Sequence, residues 1–169
     1  MSLSMYSSSV PVFLHFLKNL SNILKKGADY AAEKKIDEKV LTSARLYPDM
    51  FPLTRQVQIA CDVAKGCGAR LAGVEVPKYE DNEVTFAELQ ARIEKTVNFL
   101  KSIPESSING SEQKQIKLQA GPRELEFVGD NFLRTWALPN VYFHITTTYN
   151  ILRHNGVAVG KMEIGRAHV

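Results

Sequence analysis

The sequence predicts a mainly all-α fold, a four-helix bundle that carries one small two-stranded hairpin between its third and fourth helices. Three observations predict it. Apolar residues recur at three- and four-residue steps in several long segments, as on the buried face of a helix. Thr85 and Glu88 form a T-x-x-E capping box immediately ahead of one such stripe. On either side of Gly121-Pro122, two short segments alternate between apolar and polar residues, the period of a strand with one buried face.

The first helix takes its stripe from Phe13, Phe16, Leu17, Leu20 and Leu24, with Pro11 in its first turn or, if the helix begins earlier, as an interior kink. Gly27 to Asp37 reads as a polar exit from it, and Leu41 to Pro48 as an irregular passage. Asp49 is the expected N-capping carboxylate of the second helix, whose first turn holds Pro52. Leu53, Val57, Ala60, Ala64 and Leu71 form its inner stripe, and Gly73 ends it. The third helix spans Thr85 to Ile103 on the seam Phe86, Leu89, Ile93, Val97 and Leu100. Beyond a polar loop, Ile116 and Leu118 pair with Leu125 and Phe127 in a hairpin that, marginal alone, covers one end of the bundle. A short helical segment around Phe132 to Trp136 leads to the fourth long helix, from Leu138-Pro139 to His154, closed by Asn155-Gly156.

These elements fit one domain over residues 1–163. A chain of 169 residues suffices for one core, and 44% hydrophobic with 23% charged residues argues against a disordered or fibrous protein. Residues 164–169, Ile164 to Val169, read as the translation of a sequencing adapter (ATC-GGA-AGA-GCA-CAC-GTC). A different native continuation after Glu163 is therefore expected, and His168 stays out of the functional argument.

Charge and hydropathy remove several function classes. The net charge of +3 is scattered, too weak a balance for nucleic acid, and Lys25, Lys26, Lys34 and Lys35 are interrupted by Asp29 and Glu33 as on a solvated helix face. The longest apolar run, Val10 to Leu17, contains Pro11 and His15 and falls far short of the roughly 20 residues of a membrane span. No basic segment precedes it, so a secretory signal is not expected and the cytoplasm is the expected compartment. Cys61 and Cys67, six residues apart on one helix, point in different directions and read as reduced core or boundary residues rather than a disulfide or a nucleophile.

Phosphate-binding, zinc-protease and serine-hydrolase motifs are absent: there is no G-x-x-x-x-G-K-S/T, no H-E-x-x-H, no G-x-S-x-G and no paired C-x-x-C. The informative block runs from Pro139 to Val157 and contains F-H-x-T-T-x-Y-x-I-L-R-H-N-G-V. With Leu46 to Leu53 and Ala69 to Gly73 it resembles the DinB/YfiT-like superfamily, in a branch catalogued as a domain of unknown function, over nearly the whole chain up to Lys161. The resemblance implies an up-down-down-up bundle, commonly a homodimer, whose better-known relatives bind a divalent metal through three histidines or transfer thiols. One of those histidines stands on the second helix and two, four apart, on the last. Here the matching last-helix pair is Asn140 and His144, the second helix has no histidine, and Gln56 stands in the missing ligand's place.

At about 100° per residue, Gln56 flanks the core of the second helix, whereas Arg55, Gln58 and Asp62 face outward. An amide oxygen is a weak ligand for zinc- or nickel-class ions, so Gln56, Asn140 and His144 make a poor metal set and no cofactor is expected. His144 has two open readings, a buried histidine satisfied by Gln56 or a backbone carbonyl, and a group that contacts a ligand. Thr146, Thr147 and Thr148 can bond back to the preceding turn, and Tyr142 and Tyr149 lie on the other flank of the helix. His15 is expected to be solvated.

Two functions follow from this. The first is a metal-free protein that binds a small molecule or a partner, with Gln56, Asn140, His144, Thr148 and Tyr149 as its polar cluster and a small cavity between helices two and four. The second is a metal-dependent enzyme of the thiol-transferase type, its metal held by His144 with Gln56 and Asn140. The missing histidines favour the first, a dimer formed for assembly alone is a third reading, and the sequence leaves open whether any catalysis occurs.

Overall fold

The computed structural model describes residues 3–165. The last four adapter-like residues, His168 among them, lie outside the described residues. Four long helices form the body: α1 (Val10–Lys34), α3 (Leu53–Ala72), α4 (Phe86–Lys101) and α7 (Leu138–His154). Shorter elements join them: α2 (Glu38–Thr42), α5 (Glu105–Ile108), the strands β1 (Gln115–Ala120) and β2 (Arg123–Val128), α6 (Gly129–Asn131) and α8 (Met162–Gly165). Among the described residues no helix is long and apolar enough to cross a membrane.

Side-chain contacts set the direction of each helix. Ser21 of α1 bonds Gln90 of α4, and Gly27 lies against Phe86, so α1 and α4 are antiparallel. Asp62 of α3 pairs with Arg92 of α4 while Gly68 lies against Leu100 and Ile103, so α3 and α4 are parallel. Phe16 packs on Tyr142 and Gly27 on Leu152, which sets α7 parallel to α1. The order is up-down-down-up.

Parallel α3 and α4 impose a long connection. Twenty residues of α3 span about 30 Å, so the chain must travel back that far before α4 can begin. Val74–Val84, without helix or strand, makes the return as an extended strap.

The α3 stripe Leu53, Val57, Ala60, Ala64 and Leu71 is fully buried, as are Phe13, Leu17, Leu20 and Leu24 of α1. Phe16 is only partly buried, and on α4 Val97 is half-exposed at a cleft that it lines together with Ile93. The capping box forms: the Thr85 hydroxyl accepts from Glu88 N at 3.2 Å, and Glu88 Oε2 accepts from Thr85 N at 2.8 Å. Gly73 ends α3 with φ 77°, and the Lys114 ammonium covers the last turn by donating to Leu71 O at 3.0 Å. The expected hairpin forms, and its register sets Ile116 opposite Phe127 and Leu118 opposite Leu125. It docks through Phe127 on Phe132 and Trp136, with ring centroids 5.7 and 5.9 Å apart.

Four local expectations differ from the structure. The polar stretch after Gly27 does not leave the helix, because α1 continues to Lys34 and buries Gly27 and Ala31. Gly27 is there for close approach: a Cβ would stand 2.9 Å from Leu152 Cδ2 and 3.0 Å from Phe86 Cζ. The irregular passage is entered through α2, which reaches Thr42 and is capped by Asp37, whose carboxylate accepts from Lys39 N at 2.9 Å. Asp49 caps nothing, since Pro52 is itself the N-cap of α3 and Asp49 lies exposed three residues before it. The segment Phe132–Ala137 is a π-helical turn that runs without a break into α7.

Candidate functional site

Antiparallel α3 and α7 place Gln56, in the first turns of one, against His144, at the middle of the other. Both are enclosed, at 1% and 8% exposure. His144 Nδ1 lies 2.7 Å from Gln56 Oε1, and Gln56 Nε2 donates to Phe51 O at 3.0 Å. Phe51 precedes the N-cap Pro52, so its carbonyl belongs to no helix and needs a donor. Because the amide nitrogen is committed to that carbonyl, Oε1 must accept, which assigns the proton to Nδ1 and leaves Nε2 with its lone pair. Burial, reinforced by the nearby Arg55 charge, pulls the His144 pKa down to about 4, so the ring is neutral at pH 7.

The other expected members do not join this pair directly. Asn140 Nδ2 donates to Trp136 O at 2.7 Å, satisfying a carbonyl of the π-helical turn on its own chain segment. Thr148 and Thr147 bond back to His144 O and Phe143 O at 2.9 and 2.7 Å, as the local reading predicts. Tyr149 packs half-buried against the core, and Tyr142 against Phe16. The Gln56–His144 bond spans α3 and α7, and a cleft of about 560 Å³ lies between α1 and α4, floored by Leu14, Ile93 and Val97. His15 borders that cleft half-buried, with Nε2 3.2 Å from Asn19 Nδ2, rather than standing in solvent.

The metal set of the better-known relatives does not fit these residues. Gln56 Oε1 faces Nδ1–H, the place of an outer group that orients an imidazole rather than of a ligand, and the Asn140 amide nitrogen is turned to a backbone carbonyl. Among the described residues no group of three or more His, Cys, Asp or Glu could hold a metal ion. Burial pushes the Cys61 thiol up to about 12 and raises Cys67 as well, which keeps both in the unreactive thiol form.

A second polar cluster, on the opposite flank of α3, was not anticipated. Arg92, its side chain 1% exposed, pairs with Asp62 at 2.8 Å, Asp81 at 3.0 Å and Glu83 at 2.9 Å. Lys65 also pairs with Asp62, Arg55 with Asp81, and Gln58 Nε2 with Glu83 at 2.9 Å. Gln58, Arg55 and Asp62 therefore do not face open solvent as expected: Gln58 is buried and the other two are half-covered, because the strap lies over them. The sequence held one signal, since Arg92 and Thr96 follow Leu89 at helical spacing inside the apolar seam of α4.

Fold and site define a class: an up-down-down-up helical bundle of DinB type with a buried amide–imidazole pair between α3 and α7. A family model described as a domain of unknown function (DUF1993) matches residues 5–164, and the chain belongs to that family. It is similar to a solved structure, a DinB family member protein from Shewanella denitrificans, at 43% sequence identity over 97% of this chain and 93% of that one, with a TM-score of 0.89. No curated protein matches the chain.

Proposed function

We infer that this DinB-like protein works without a bound metal and recognises a small molecule or partner at the Gln56–His144 pair. The observation that carries this reading is the 2.7 Å bond from His144 Nδ1 to Gln56 Oε1, which fixes the ring proton on Nδ1 and leaves Nε2 as an acceptor. A ligand offering an N–H or O–H donor meets that lone pair. Phe51 and Phe143, 54% and 55% exposed, flank the pair through the Phe51 carbonyl and the edge-on Phe143 ring, and supply apolar surface for the ligand's body or for a second copy of the chain.

The test combines metal analysis of untagged protein with nitrogen NMR of the His144 ring and His144→Ala. The expected result is metal at background, a neutral ring protonated on Nδ1, and loss of ligand binding in the variant with its fold retained. Stoichiometric zinc or nickel, lost on His144→Ala, would overturn the reading and put the metal-dependent, thiol-transferase-type enzyme in its place. A ring protonated on Nε2 would remove the acceptor on which the reading rests.

A further inference from the structure

The strap Val74–Val84 is attached to the bundle in an unusual way. Among the described residues, none of its side chains belongs to the hydrophobic core, and Val74 and Val84 are 50% and 55% exposed. Charge holds it instead. Asp81 bridges Arg55 of α3, at 2.5 Å, and Arg92 of α4, at 3.0 Å. Glu83 accepts from Arg92 and from Gln58, both at 2.9 Å, and Glu80 O accepts from Arg92 at 3.0 Å. Tyr79 lies beneath three cations, with Lys65 Nζ 4.0 Å, Lys95 Nζ 4.2 Å and the Arg92 guanidinium 5.3 Å from its ring centroid.

Within this clamp two buried polar atoms have no hydrogen-bond partner, the Tyr79 hydroxyl and Arg92 Nε. Closure therefore leaves part of its polar surface unsatisfied, and opening returns both atoms to water. Directly under the strap lies the seam of α3 and α4, where Cys61 and Thr96 are completely buried beside Arg92 and Tyr79. Farther along, Gly68 of α3 lies against Leu100 and Ile103, so the two helices stay joined when the strap lifts, while Tyr79, the strap side chain beside Cys61 and Thr96, leaves the seam.

We propose that Val74–Val84 is an electrostatically latched strap, centred on Arg92, that opens as a unit over the α3–α4 seam and controls access to Cys61. Cys61 is the reporter, and Cys67, fully buried farther along α3, is the internal control.

The experiment alkylates the native full-length chain with iodoacetamide, maps each cysteine by mass spectrometry, and follows tryptic cleavage after the exposed Lys78. It is run on wild type at low and high salt, and on Asp81→Asn and Glu83→Gln. Losing one charge-assisted bond should raise Cys61 alkylation and Lys78 cleavage on the order of tenfold, with Cys67 unchanged. High salt should act on wild type in the same direction, because exposed parts of the latch are screened. If Glu83→Gln fails to fold, wild type in salt and Asp81→Asn carry the test. Cys61 and Cys67 reacting at a common rate would overturn the proposal, because access would then require global unfolding. So would a Cys61 rate indifferent to salt and to both substitutions.

Discussion

On the α7 side of α3, Gln56 and His144 meet as a buried, uncharged pair; on the α4 side, Arg92 is buried as well yet keeps its charge. The two clusters answer the cost of burying polar groups differently. His144 loses its proton affinity, and one amide then suffices as partner. Arg92 cannot give up its proton, so it requires carboxylates, and two of its three come from a strap outside the core. A neutral pair between core-positioned helices should be rigid and sensitive to pH. An ionic cluster closed by a strap should be sensitive to salt and should open first.

Removing the centre of the charged cluster is the harshest test of that contrast. Arg92→Met leaves Asp62, Asp81 and Glu83 facing one another without their shared cation, and stability measured by urea unfolding should fall by about 3 kcal/mol. A loss well under 1 kcal/mol would show the cluster to be an ordinary screened surface group.

The neutral pair should reveal itself through pH. The folded His144 pKa, about 4, lies below its ordinary value of 6.5, so between these limits the unfolded chain binds the extra proton. The stability from keeping His144 neutral is thus complete above about pH 6.5 and is lost as pH falls toward 4, amounting to about 3 kcal/mol. Subtracting the pH profile of His144→Gln from that of wild type isolates it from the carboxylates. A flat difference would mean that the imidazole is solvated in the folded protein.

The smallest effect concerns the strap's tyrosine. Tyr79→Phe keeps the ring under its three cations and deletes a buried hydroxyl without a partner, so the melting temperature should hold or rise slightly. A loss above about 1 kcal/mol would indicate that the hydroxyl is satisfied through a buried water.

The elements legible in the sequence are those whose causes are local. The box of Thr85 and Glu88, the stripes on α1 and α3, the bounds of α7 and the two alternating strands of the hairpin each follow from spacing alone. The approach of Gln56 to His144 was legible too, because two polar residues beside inner stripes must find partners and each helix offers the other. What periodicity cannot express is what lies across from a residue. Gly27 stays helical because Leu152 and Phe86 approach it from two other helices, although glycine read alone marks an end. Asn140 turns to Trp136 because a π-helical turn frees that carbonyl.

Gln58 points away from the core of α3, as its helical angle requires, and is nevertheless buried, because parallel α3 and α4 force the chain back over that face. The sequence by itself determined which residues form helices and which faces they bury, since a 100° step is a property of one helix. The tertiary structure alone decided that the outward face of α3 would be roofed by a strap and that Arg92 would be the ion holding it. Direction and connection are relations between helices, and no single helix encodes them.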